Sequence, residues 1–196
     1  MKLILASQSP RRAALVRLLG IAEIEILPSD VDESTDPSLS PEETVRQLCI
    51  RKARATTSNV SPSDAIILGA DTIVVLDELV LNKPTDSDDA ERMLTMLSGR
   101  THTVYTGVAL IDASTKKETH FVEHTDVTFR TLNSAEIKAY VATGSPMDKA
   151  GSYGIQEDFG AVFVSRIDGD YYNVVGLPLS ALYVHLKSFA PKLWKS

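Results

Sequence analysis

Arg11 and Arg12 stand side by side in the run Ser7-Gln8-Ser9-Pro10-Arg11-Arg12. Ser9 suits a helix N-cap and Pro10 the first helical position, which puts both guanidinium groups in the first turn. A helix N-terminus carries partial positive charge, so an exposed cation there costs about 0.3–1 kcal/mol. Two adjacent cations therefore contradict the local physics unless an anion joins them. Backbone N–H groups, the helix dipole and two guanidinium forks would then point at one ligand, and Ser7 and Ser9 add hydroxyl donors. The plainer reading sends both arginines into solvent or pairs them with acidic side chains.

Three other positions break local rules. Lys52 falls in register with Val45, Leu48 and Cys49 on the apolar stripe of a helix, at steps of seven, four and three. Such a lysine either snorkels or aims its ammonium at a ligand. Asp71 lies inside the apolar segment from Ile66 to Leu76, behind Gly69-Ala70. A carboxylate buried there costs several kcal/mol, on the order of a lost ion pair, unless cations, hydrogen bonds or a metal satisfy it. Perturbed acids gather at functional sites; capping a turn at Gly69 is the alternative. Met147-Asp148-Lys149-Ala150-Gly151-Ser152-Tyr153-Gly154-Ile155-Gln156 mixes a cation, glycines and an amide, as a backbone that closely approaches a ligand would, and as a plain connecting loop would too. Lys83, fixed by Pro84, and Glu33, in an acidic loop, are weak candidates by themselves.

The elements that must position these residues alternate between helix and strand to the end, which predicts a mixed α/β unit. A strand over 2–6 leads to a helix ending near Leu19, with Leu15, Leu18 and Leu19 as its apolar face and Gly20 as its stop. A strand at 24–27 and an acidic loop from Ser29 to Asp36 precede Ser40-Pro41-Glu42-Glu43, a capping box that opens a helix to about Thr56. The apolar stretch 65–76, interrupted at Gly69–Thr72, turns back through 79–81. A helix spans about 86–97, and strands at 102–111 and 118–129 read as antiparallel. A helix starts at Asn133 and stops at Gly144, and a glycine-punctuated loop runs to Gly160. Residues 161–167 and 170–175 read as a hairpin about an Asp168-Gly169 turn. The last helix covers 179–189.

Composition narrows the function classes. The 196 residues are 43% hydrophobic and 23% charged, the range of globular chains, and length alone allows burial of roughly 70% of the unfolded surface. The formal charge of −6 argues against a polyanion grip on nucleic acid or an acidic membrane, but not against a small anion held by a few cations. Cys49 is the one cysteine, so no internal disulfide forms and a reducing, cytoplasmic setting is expected. It reads as a small core residue. The opening apolar run is too short for a signal-peptide core, and none reaches membrane-spanning length. His102, His120, His124 and His185 have no zinc-site spacing. No dinucleotide fingerprint, Walker loop or nucleophile elbow is present.

In order along nearly the whole chain, Ser7-Gln8-Ser9-Pro10-Arg11-Arg12, Asp32-Glu33, Lys52-Ala53, Gly69-Ala70-Asp71-Thr72, Lys83-Pro84, Ser98-Gly99-Arg100-Thr101-His102, Pro146-Met147-Asp148-Lys149-Ala150-Gly151, Tyr153-Gly154-Ile155-Gln156 and Val175-Gly176-Leu177-Pro178 resemble the motifs of the Maf family of nucleoside triphosphate pyrophosphatases. The resemblance implies one Maf-like domain over 1–196, a two-lobed mixed-sheet α/β fold similar to inosine triphosphatase, with a deep central cleft. It implies cleavage of a nucleoside triphosphate to monophosphate and pyrophosphate, a divalent cation (magnesium or manganese), a cytoplasmic location and a homodimer. By resemblance Ser7, Ser9, Arg11, Arg12, Lys52, Lys83 and Lys149 bind phosphate, Asp71 takes the proton of the attacking water, and Glu33 and Asp71 face the metal. After Gln156 many members of the family have glycine, whereas here Glu157-Asp158-Phe159 intervenes.

Within the family, threonine after the catalytic aspartate and glutamine in the late loop resemble the dTTP/UTP branch, and this chain has Thr72 and Gln156. The 7-methyl-GTP branch has glutamine and glutamate there. A uracil edge offers two carbonyl acceptors and one N–H donor, which an amide can match; a carboxylate suits a methylated, cationic guanine. Arg11 shares in base selection by the same resemblance. The expected role is to limit incorporation of noncanonical nucleotides, with a link to cell-division arrest. The alternatives are the 7-methyl-GTP activity and a nucleotide-sensing septation regulator without turnover. Asp71 favours an enzyme over a sensor, which needs no base.

Overall fold

The computed structural model describes residues 1–60, 64–156 and 158–194. Seven strands and six α-helices are present among them: β1 Lys2–Leu5, α1 Pro10–Arg17, β2 Ile24–Ile26, α2 Pro41–Asn59, β3 Ala65–Leu76, β4 Leu79–Leu81, α3 Ser87–Leu97, β5 Thr101–Asp112, β6 Glu118–Phe129, α4 Ser134–Ala142, β7 Val164–Asp168, α5 Tyr171–Val175 and α6 Leu179–Phe189. One mixed sheet runs β2-β1-β3-β5-β6-β7, and β4 pairs with β3. β1 is parallel to both β2 and β3, whereas β4 is antiparallel to β3 and β7 to β6. Thr101 bonds Thr128 and Thr103 bonds Asp126, the antiparallel register expected of β5 and β6. No described helix is long and apolar enough to cross a membrane.

The chain divides into two compact units: Met1–Asp71, Thr106–Glu123 and Gly176–Ser196 form the first, Thr72–Tyr105 and His124–Val175 the second. In the first, Ile4, Ala6, Cys49, Ala53, Ile67 and Ala109 belong to a core of aliphatic and small side chains. That choice lets α2 lie hard against the sheet. A Cβ on Gly69 of β3 would stand 2.4 Å from the Cys49 carbonyl oxygen, and one on Gly107 of β5 would stand 2.4 Å from that of Val45. Hydrogen atoms at both positions are what permit the approach. The second unit fills its core with rings. Phe129 meets Tyr153 at 4.8 Å and Phe163 at 5.9 Å between centroids, and Tyr140 meets Phe163 edge-on at 5.2 Å.

Local signals hold where capping chemistry is strong. Ser9, Ser40 and Asp86 cap α1, α2 and α3 through their side chains, and Asn133 with Glu136 completes a capping box on α4. Four expectations change. β3 is continuous through Gly69–Thr72, so Asp71 sits in mid-strand rather than in a turn. α1 ends at Arg17, and its buried pair is Leu15 and Val16, whereas Leu18 is 66% exposed. The late glycine-rich loop contains short 3-10 turns at Ser145–Asp148, Ala150–Ser152 and Asp158–Phe163, the last delaying β7 to Val164. Finally, the expected hairpin arm at 170–175 is helix α5. The Asp170 carboxylate accepts the Tyr172 N–H at 2.7 Å, and Asn173, fully buried, donates to the Val104 carbonyl and to Thr125 Oγ1, both at 3.0 Å. These tertiary bonds override the strand preference of Tyr171-Tyr172 and Val174-Val175. Of the Glu157-Asp158-Phe159 insertion, Glu157 lies outside the described residues; Phe159 is exposed.

Candidate active site

The first unit gathers the anomalies of charge. β1 delivers the chain to α1, and Ser7 Oγ accepts the Ser9 N–H at 3.1 Å while Ser9 Oγ accepts the Arg12 N–H at 3.3 Å. A hydroxyl oxygen that accepts a backbone N–H still has its own hydrogen to donate. No acidic residue occupies the first turn of α1. Arg12 donates through Nε to the Gly176 carbonyl oxygen at 2.8 Å, which fixes the plane of its fork. Gly176 has φ +121°, a backbone state that disfavours any Cβ. Burial pushes the Arg12 guanidinium below its usual range; Asp71 opposes this, Arg11 adds to it and Glu33 opposes it. Arg12 thus shares one electrostatic neighbourhood with all three.

Asp71 and Lys52 are the buried heart of this unit, with side chains 11% and 10% exposed. The Lys52 ammonium donates to Asp71 Oδ1 and lies 2.7 Å from Glu33 Oε1. The close seating of α2 at Gly69, two residues before Asp71, brings the lysine within reach. Arg51, not singled out by the sequence analysis, holds the acidic loop. Its Nη1 donates to the carbonyl oxygens of Asp32 and, at 2.9 Å, of Ser34. The Ser34 hydroxyl and N–H hold the Asp32 carboxyl below the usual carboxylate range, and Glu33 is thereby delivered to Lys52. Nothing in the spacing of Arg51 could have marked it, because its partners are backbone oxygens far along the chain.

Two carboxylates converging on one cationic nitrogen are a hard, oxygen-rich donor set of the kind that suits magnesium or manganese. Among the described residues no group of three or more metal-ligating side chains gathers. Cys49, buried nearby, donates through Sγ to the Arg46 carbonyl oxygen at 3.1 Å, and burial together with Asp71 pushes its thiol up to about 12. It is a core residue and not a nucleophile.

The second unit holds the remaining candidates. Thr72 follows Asp71 in β3 and is half-buried. Lys83 is exposed behind β4, next to buried Pro84. The Gly151 N–H donates to the Asn82 carbonyl oxygen at 3.2 Å, which ties the Lys83 segment to the loop carrying Lys149 and Gln156. Lys149 is buried, and its ammonium donates to the Ser145 carbonyl oxygen at 2.7 Å and to Asp148 Oδ1 at 2.8 Å. It stitches its own turn together. Gln156 is half-buried at the loop's end.

That loop is shaped from below. Gly151 and Ser152 have φ +67° and +63°; a Cβ on Gly151 would stand 2.9 Å from the methyl groups of Val74. Ser152, fully buried, adopts the strained state regardless, with its hydroxyl 3.2 Å from Met93 Sδ. The Tyr153 hydroxyl lies 2.8 Å from His102 Nε2.

The Maf-like protein family model matches residues 2–189. The chain belongs to the Maf family. This Maf chain is similar to the dTTP/UTP pyrophosphatase of Bacillus cereus (strain AH820), 50% identical over 188 residues that cover 96% of this chain and 95% of that one. It is likewise similar to the dTTP/UTP pyrophosphatase of Salinibacter ruber, 51% identical over 192 residues covering 97% and 93%. Among solved structures, a nucleoside-triphosphatase / dITP/XTP pyrophosphatase from Mycobacterium abscessus matches at TM-score 0.45 and 16% identity, covering 67% of this Maf chain and 76% of that one.

Proposed function

We propose that this Maf-family chain is a nucleoside triphosphate pyrophosphatase that hydrolyses dTTP and UTP to the monophosphate and pyrophosphate. The observation that carries the reading is the buried Asp71 carboxylate held by Lys52, which also meets Glu33, in the unit that presents Arg12 and a helix N-terminus with no acid in its first turn. The relatives that are half-identical over nearly the whole chain bear that activity in their names.

In phosphoryl chemistry most of the catalytic work is positioning and neutralisation of charge. The N–H groups at the start of α1, the hydroxyls of Ser7 and Ser9 and the forks of Arg11 and Arg12 bind phosphate oxygens. Lys52 orients Asp71 through Oδ1, which leaves Oδ2 to take the proton of the attacking water. Glu33 and Asp71 would hold a magnesium or manganese ion; when bound, it supplies positive charge to the leaving pyrophosphate. In the second unit Lys83 adds positive charge. Lys149, assigned to phosphate by resemblance, supports the loop that presents Gln156 through its bonds to Ser145 and Asp148. The Gln156 amide reads the donor and acceptor pattern of the pyrimidine edge, with Thr72 and Arg11 as the other selective positions. Residues 1–196 act as one domain in this reading, in the cytoplasm and as a homodimer, without binding nucleic acid.

The test is a panel of dTTP, UTP, CTP, GTP and 7-methyl-GTP, each with magnesium, with manganese and with excess chelator, reading monophosphate and pyrophosphate together. The expected result is highest efficiency on dTTP and UTP, lost in chelator and restored by either metal. Release of orthophosphate instead of pyrophosphate, or a preference for 7-methyl-GTP, would overturn the reading.

A further inference from the structure

His102 is fully enclosed, at 2% exposure, and only one of its ring nitrogens is satisfied. Nε2 meets the Tyr153 hydroxyl at 2.8 Å, while Nδ1 is buried without a hydrogen-bond partner among the described residues. Packing alone does not require an imidazole here. Phe129 already covers it edge-on at 5.0 Å and covers Tyr153 at 4.8 Å; an apolar side chain would fill the space and spare the unpaired Nδ1, but it would take the partner from the buried Tyr153 hydroxyl. Burial also pushes the imidazole down to about 4, so the ring is neutral across the ordinary working range and offers Tyr153 a fixed, uncharged partner.

What the bond restrains is the segment leading to Gln156. Tyr153 follows the strained pair Gly151 and Ser152 and precedes Gly154, whose N–H donates to the Tyr140 hydroxyl at 3.3 Å. The backbone is thus clamped on both sides of Tyr153, three residues before the amide. Selectivity by an amide requires its donor and acceptor to be held in place, since a mispositioned pair discriminates poorly.

We propose that His102 and Tyr153 are a positioning pair that sets the Ile155-Gln156 segment and thereby the selectivity for the pyrimidine base. Neither touches substrate. The inference rests on the proposed function and adds to it a purpose for the histidine of Ser98-Gly99-Arg100-Thr101-His102.

The decisive variant is Tyr153→Phe, which removes one hydroxyl and keeps the ring packed against Phe129. His102→Leu and His102→Gln complete the set, the glutamine restoring a hydrogen-bonding group for Tyr153. Steady-state kinetics on UTP and on GTP, inhibition by inorganic pyrophosphate and the melting temperature are measured for each. In Tyr153→Phe and His102→Leu, KM for UTP rises about threefold to tenfold, the worth of one neutral hydrogen bond. Their kcat changes less than twofold, and the UTP/GTP efficiency ratio falls by the same factor as KM rises. Pyrophosphate inhibition is unchanged, and His102→Gln recovers most of the ratio. A lower melting temperature with the ratio intact overturns the proposal and leaves a structural bond. A fall in kcat at constant KM also overturns it, because the pair then serves the chemical step. A wild-type chain with no preference for UTP over GTP strikes down the proposed function and this inference together; a wild-type preference that survives Tyr153→Phe strikes down this inference alone.

Discussion

The two units solve different problems with different materials. The first packs small aliphatic side chains so that a helix backbone touches the sheet at Gly69 and Gly107, and it spends that proximity on joining charges: Lys52 with Asp71 and Glu33, and Arg12 with the Gly176 carbonyl. Arg11 and Arg12 sit on α1, Lys52 on α2 and Asp71 on β3, while Ser7 and Ser9 lie in the β1–α1 connection and Glu33 in the acidic loop. The second packs rings; Thr72 lies on β3 and Lys83 just after β4, and Lys149 and Gln156 ride on the late loop pinned by Asn82, His102 and Tyr140. Under the proposed function the charged groups of the first unit would bind phosphate, which is the same in every nucleotide, and the late loop would read the base, which differs; a loop whose shape is adjusted by buried side chains suits that.

The sharpest break of the comparison is Asp71→Asn. It is expected to keep the fold and lower turnover by about 10²–10⁴-fold, the usual worth of a general base; purified protein with wild-type circular dichroism and wild-type pyrophosphate release would refute the role. Lys52→Met should act on stability as well as activity. Removing one partner of a buried pair leaves an uncompensated carboxylate, a loss of about 3 kcal/mol. The double variant Lys52→Met/Asp71→Asn should recover most of it in a denaturant titration, and additive losses would show that the two do not interact.

The next effect belongs to the second unit and to pH. Folding lowers the His102 pKa from 6.5 to about 4, so the unfolded chain binds the extra proton between those values. The neutral ring's contribution to stability is therefore present above pH 6.5 and lost as pH falls through about 4, up to roughly 3 kcal/mol. Carboxylates held low, Glu118 by Arg54 and Glu136 by Arg130, add their own loss in acid. The checkable quantity is thus the difference between wild type and His102→Gln, whose stability should decline less over that window. Parallel curves would mean that His102 does not titrate differently on folding. The smallest effect is Gln156→Glu, expected to shift the UTP to 7-methyl-GTP efficiency ratio by roughly tenfold, about one charge-assisted hydrogen bond, with pyrophosphate inhibition unchanged. An unaltered ratio would remove Gln156 from base reading.

Much of this was legible in the chain itself where a signal is local. Ser9-Pro10 and Ser40-Pro41-Glu42-Glu43 place two helix starts, the apolar runs place strands, and helix 179–189 appears with the bounds expected. Arg11, Arg12, Lys52 and Asp71 stood out because each contradicts its own surroundings, a test that needs only neighbouring residues. What the sequence could not decide depends on partners far along the chain. Lys52 and Asp71 meet across 19 positions and His102 and Tyr153 across 51. Helix α5 replaces a strand because Asn173 finds Val104 and Thr125; Lys149 turns inward to Ser145, and Arg51 anchors the acidic loop through backbone oxygens. Propensity and periodicity act over a few residues, whereas burial and the low dielectric that comes with it are created only when distant segments pack, and these decide which polar groups must pair.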